Sequence, residues 1–205
     1  MSVAALLASA LGRNDEQPNI ALARRLAEEP SAEAVAELVA LLEAGTAAER
    51  SDAIKVLYEL GELRPERIAG HADAFVSLLG ARNNRLVWGA MHAVATITPV
   101  RPETILAALP AVIAAADRGS VIAKDHAMST LARLAAAGHP EPALPILLDR
   151  LEAAAANQFP MYAEFAAPVI DAARRERFRA ILAARLPGLP PAKQKRVGRL
   201  LRRLG

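Results

Sequence analysis

The side chains that could do chemistry are few and scattered. The chain has no cysteine, which removes disulfides and thiolate metal ligation. Its histidines, His71, His92, His126 and His139, include no pair at i, i+3 or i, i+4, so the usual spacing of a zinc site is missing and no metal or cofactor is expected. Asp125 and His126 are neighbours in sequence, so on a helix they point apart and make no catalytic dyad. What recurs is a position: Ser51, Trp88, Asp125 and Tyr162 follow one another at steps of 37 residues. Large rings on such a line are the residues a binding surface uses as anchors. No nucleophile with a partner base stands out anywhere, and the pattern favours binding over catalysis.

The second feature is charge. From Arg174 to the end there are 11 basic residues and one acid, Glu176, whereas the preceding 173 residues hold 14 bases and 21 acids. The chain reads as an acidic body with a basic end. Lys193, Arg196, Arg199 and Arg203 fall on the outer side of the last amphipathic stretch and are the candidates for contact with an anion or nucleic acid. Interleaved aromatics are absent apart from Phe178. A solvated cap, its cations complementing the end of a helix, is the competing reading.

The elements that must carry these residues are helices. Hydrophobic residues make up 53% of the 205, but aromatics only 3%, so the core has to be assembled from Ala, Leu, Val and Ile, which suits close-packed helices. Ala53-Ile54-x-x-Leu57-x-x-Leu60 returns as Ala90-Met91-x-x-Val94-x-x-Ile97 and again as Ala127-Met128-x-x-Leu131-x-x-Leu134, at an offset of 37 both times. Arg64-Pro65-Glu66-x-Ile68 likewise returns as Arg101-Pro102-Glu103-x-Ile105. A fixed period of this length marks a stacked array.

In chain order, helices are expected over 2–12 and 19–29, the second capped by Asn19. The next is capped by Ser31 and stopped by Gly45, and Thr46-x-x-Glu49 makes a capping box for the one after. Pro65, Pro102 and Pro140 suit first turns, while Pro110 and Pro145 predict kinks or divided helices. Beyond Arg150 the register loosens: Ala166, Ala167, Ile170 and Ala173 resume the pattern about 39 residues after Ala127. A helix falls near 174–186, and after a turn over Pro187–Pro191 a final helix runs to Leu204. No apolar run approaches the roughly 20 residues that cross a bilayer. Residues 1–11 have no Lys or Arg before Arg13, and read as a first helix rather than a leader. A cytoplasmic location is the expectation.

The 37-residue helix pairs, with Val87-Trp-Gly-Ala-Met-x-Ala-Val94 opening a second helix, resemble HEAT repeats. Val87, Ala90, Ala93 and Val94 match that family's apolar and small positions; Trp88 stands where it usually has Arg, and Asn83 or Asn84 where it has Asp. The resemblance implies an all-α solenoid of about five to six stacked antiparallel helix pairs. It would be one repeat domain over 1–205, with a capping pair at 1–30, regular repeats at 31–150, and a divergent repeat with a basic cap at 151–205.

In such a fold the second helices line a concave face. Counting about 100° per residue, the outward set is Asp52, Lys55 and Glu59, then Trp88, His92 and Thr96, then Asp125, Ser129 and Arg133, with Tyr162 beyond. Lys55, Trp88, His92, Asp125 and Tyr162 are thus the candidate contacts for a protein partner, unless Trp88 only fills space beside Gly89. Nucleic acid is the alternative partner. Some HEAT-like proteins are DNA glycosylases using groove aromatics and a carboxylate, which would give Trp88 and Asp125 that role, but this groove lacks the basic lining such a reaction needs.

Overall fold

The computed structural model describes residues 2–204 and contains, among them, twelve α-helices and no strand. They are α1 (Gln17–Glu28), α2 (Ala32–Ala44), α3 (Ala47–Leu63), α4 (Ala72–Leu78), α5 (Asn84–Ile97), α6 (Pro102–Ala107), α7 (Leu109–Arg118), α8 (Val121–Ala136), α9 (Pro140–Glu152), α10 (Phe159–Ala166), α11 (Arg175–Arg185) and α12 (Pro191–Arg203). None of the helices is long and apolar enough to cross a membrane, over the described residues. The chain divides into two compact units, one ending at Ala127 and the other starting at Met128.

The caps are where local chemistry puts them. Ser31 accepts from the Ala34 N–H at the head of α2. Thr46 and Glu49 close a full capping box on α3, the Thr46 N–H donating to the Glu49 carboxylate at 2.8 Å. Pro102 opens α6, and Pro110 lies in the first turn of α7, so the expected break at Pro110 is a division into two helices at Ala108. The break expected near Pro145 falls four residues before it, at Glu141, whose carbonyl a proline at 145 leaves without a donor. Glu141 is extended (φ −104°, ψ 126°), so α9 is interrupted there and its regular part, with Pro145 inside it, starts beyond.

The start of the chain departs from the expectation of a helix over 2–12. Only Val3–Leu6 is helical, as a single 3-10 turn. Its N–H groups have side-chain acceptors instead: Val3 and Ala4 donate to the Glu37 carboxylate, Ala8 to Asn19 Oδ1 and Ser9 to Asp52 Oδ2. Acceptors from α1, α2 and α3 therefore compete with the helical ladder for these donors. Asn19 is not a cap. It sits fully buried inside α1, and its amide donates on to Asp52 Oδ1 at 2.7 Å.

In the first unit α3 is the central element, packed against α1, α2 and α5, while α4 packs on α5. Ala53, Ile54, Leu57 and Leu60 are buried along it, as are Ala90, Met91, Val94 and Ile97 on α5. Those are the positions of the 37-residue repeat. In the second unit α9 packs on α10 and α11, and α12 packs on α10 and α11. There first helix lies beside first helix (α9 and α11) and second beside second (α10 and α12), as α3 lies beside α5 in the first unit, which is the local arrangement of stacked repeats.

Candidate functional site

The site is built on α5. Asn83 caps it, Oδ1 accepting from the Arg85 N–H at 2.9 Å. Ten of its 14 residues are buried, so α5 is enclosed almost all round, and only Asn84, Arg85, Trp88 and His92 reach solvent along one stripe. The enclosure depends on Gly89, whose bare Cα lies against the side chain of Ile54 on α3. That close approach brings the solvent stripe of α5 up to the side chains of α3.

Three rings stack across neighbouring second helices. The Tyr58 and His92 rings lie 4.4 Å apart at 21°, and the His92 and His126 rings 4.3 Å apart at 23°. The ladder runs from α3 through α5 to the first half of α8. Beside it a groove of about 160 Å³ is lined by Tyr58, Arg85, Trp88, Gly89, His92, Ile122 and His126. His92 Nε2 lies 2.6 Å from Glu62 Oε1, and Glu62 is its hydrogen-bond partner among the described residues.

Charge is concentrated at the α3 end. Lys55 Nζ sits 4.8 Å above the Tyr58 ring and pairs with Glu59 at 2.7 Å and Glu16 at 3.0 Å. Burial works to lower the Lys55 pKa, but the Glu59 carboxylate, Tyr58 and Glu16 outweigh it and hold the amine above the ordinary lysine range. Glu16 also pairs with Arg85. Its burial favours the neutral acid, yet Arg85 and Lys55 together keep its pKa below the ordinary value. These charges brace the ladder. What remains open to a ligand is an aromatic strip with Trp88 and Ile122 on it.

The structure brings Trp88 and His92 into this groove and sends other predicted residues elsewhere. Lys55 is 7% exposed, and Thr96 is buried, its hydroxyl donating to the Ala93 carbonyl. Asp52 is engaged with Asn19 and Ser9, and Glu59 with Lys55. Asp125 is half-buried on α8 and is not among the groove walls.

Tyr162 is a correction. It is 4% exposed on α10, inside the core rather than on a surface. The 39-residue step that carries Ala127 to Ala166 carries Asp125 to Glu164, and two residues turn a helix by about 200°. Glu164 is half-exposed there, unlike Tyr162.

The basic end is also largely tied down. Arg196 pairs with Glu164, and Lys193 donates to Asn157 Oδ1. Arg177 bonds Asp149 at 2.6 Å, Arg174 pairs with Glu141 and Asp171, and Arg185 donates to the carbonyls of Glu152 and Ala154. Arg199 and Arg203 are exposed and have no ion-pair partner among the described residues. Of the four cations singled out on the last helix, two therefore serve the fold.

Tyr58 and His126 belong to the site, yet the outward-face count passed over both. Their signal was present: Tyr58, His92 and His126 stand at steps of 34, one helical turn short of 37. A ring ladder slanted across the helices needs that shorter step.

No protein-family model matches the chain, and no curated protein does either. Solved structures do. A designed armadillo repeat protein in complex with the peptide (KR)4 superposes with a TM-score of 0.68 at 18% identity, over 89% of this chain and 85% of that one. A second designed armadillo repeat protein gives 0.66 at 16%, over 96% and 98%, and an engineered protein 0.61 at 20%, over 100% and 97%. At such identities the likeness is one of fold. The chain is an all-α helical-repeat solenoid.

Proposed function

We propose that this chain is a non-catalytic, cytoplasmic protein-binding module of HEAT type, which holds an extended segment of a partner protein along the Tyr58–His92–His126 ladder. The observation that carries this is the groove itself. An enclosed helix leaves Trp88 and His92 at its only solvent stripe, and stacked rings from both neighbouring helices continue that stripe into one aromatic strip. Rigid rings bind at little cost in side-chain entropy, and Trp and Tyr dominate the energetics of such surfaces. The designed repeat protein in complex with the (KR)4 peptide supports the reading, because a protein of this fold can hold a peptide. The partner segment would lay a large apolar side chain over Trp88 while its backbone follows the ladder.

Trp88 is the only tryptophan in the chain, so it reports on its own groove. Peptides selected from a random library on the full chain should change Trp88 emission on binding. His92→Ala should weaken them by roughly tenfold or more, as expected when a central anchor is cut. Peptides that bind without changing Trp88 emission, and bind His92→Ala equally well, would place the binding surface elsewhere.

A further inference from the structure

A second surface lies in the second unit, remote in chemistry from the ring ladder. Between α10 and α12 is a cleft of about 600 Å³ with an aliphatic floor: Ala167 and Pro168 beyond the end of α10, and Leu200 and Leu204 from the last helix. Its rim is basic. Arg196, Arg199 and Arg203 recur along α12, which holds six basic residues and no acid from Pro191 to Arg203. The rim's one acid, Glu164, is paired with Arg196, which, with a lesser contribution from the charge of Arg199, holds its carboxyl below the ordinary value against the opposing effect of burial. Arg199 and Arg203 are exposed guanidinium groups above an apolar floor, neither in an ion pair among the described residues, although Arg199 lies within electrostatic reach of Glu164.

We infer that this cleft docks an acidic amphipathic helix from a protein partner. Leucines on one face of that helix would fill the floor, and carboxylates flanking them would meet Arg199 and Arg203. Charge complementarity selects this occupant: a planar guanidinium engages a carboxylate through two parallel hydrogen bonds. A helix laid in a groove presents anchors at i, i+3, i+4 and i+7, which suits a floor whose own leucines are four residues apart. Nucleic acid suits it less well. Single strands are held by bases stacked on aromatic rings, and this floor offers proline, alanine and leucine.

The test is fluorescence anisotropy on the full chain at low salt. The probe is a labelled synthetic helix with leucines on one face and glutamates on the other. Binding is expected. The double variant Arg199→Glu with Arg203→Glu should weaken it by at least about tenfold and should take up the matching leucine–lysine helix instead, since like charges now repel the acidic one. Both substituted positions are exposed, and circular dichroism would confirm that the variant folds. Trp88→Ala should leave this binding unchanged, which separates the cleft from the ring ladder.

Four results would overturn the inference: no binding of the acidic helix; equal binding of a scrambled peptide whose leucines share no face; an affinity indifferent to the double variant; or tighter, salt-sensitive binding of an oligonucleotide at the same arginines. Self-association of the unmodified chain that the double variant abolishes would assign the cleft to a second copy, and would overturn it equally.

Discussion

Gly89→Ala is the substitution that interrogates the site most directly. By helix propensity alone it should stabilise α5 by about 1 kcal/mol, since glycine is the poorer helix former. The packing predicts the opposite. A Cβ at residue 89 would collide with Cγ1 of Ile54 and stand 3.0 Å from its Cγ2 and 3.2 Å from its Cβ. Ile54 is fully buried and branched at Cβ, so these atoms cannot swing away without moving α3. Overpacking of this kind costs about 1–3 kcal/mol, and contact with the stem of a side chain belongs at the upper end. Set against the propensity gain, the net loss is about 2 kcal/mol, or a fall of about 4–8 °C in Tm for a chain of this size.

Thermal melts followed by circular dichroism would read this fall. A double-mutant cycle with Ile54→Ala should then show favourable coupling of about 1–3 kcal/mol, because the added methyl enters space that the isoleucine vacated. Separating α5 from α3 should also part the 4.4 Å Tyr58–His92 stack, visible as shifts in the imidazole resonances. An unchanged or raised Tm for Gly89→Ala would refute the close approach of these helices and the enclosure on which the groove depends.

Two other outcomes follow from the charges. Lys55→Met should destabilise by about 1–3 kcal/mol in urea titrations, because it removes the cation that Glu16 and Glu59 share; the partial exposure of both acids keeps the cost below that of a fully buried pair. A variant as stable as the parent would show that the cluster is solvated. Glu164 has a native pKa depressed below the ordinary value of 4.5, so its contribution is complete above that pH and is lost as the pH falls through the native value. Urea midpoints measured from pH 6 to pH 3 should therefore fall more steeply for the parent chain than for Glu164→Gln, and parallel curves would contradict the Arg196 pairing.

Much of this architecture was written in short-range chemistry. Ser31 and the Thr46–Glu49 box announce helix starts because a cap is a contact between residues three apart. Pro110 announces a division because proline acts on its own turn. The 37-residue recurrence of small and apolar residues marks the buried stripe of each second helix, since burial follows a period set by one helix alone.

Tertiary structure decided what lies beyond each helix. A helical wheel sends Lys55, Thr96 and Tyr162 outward from their own axes, but cannot say that a neighbouring element covers them. Long cations found partners about one repeat away, Arg196 at 32 residues and Arg177 at 28, and these converted much of a basic run into internal braces. The ring ladder came last. Its step of 34 rather than 37 depends on how adjacent helices slide along each other, and that offset exists only once α3, α5 and the first half of α8 are packed.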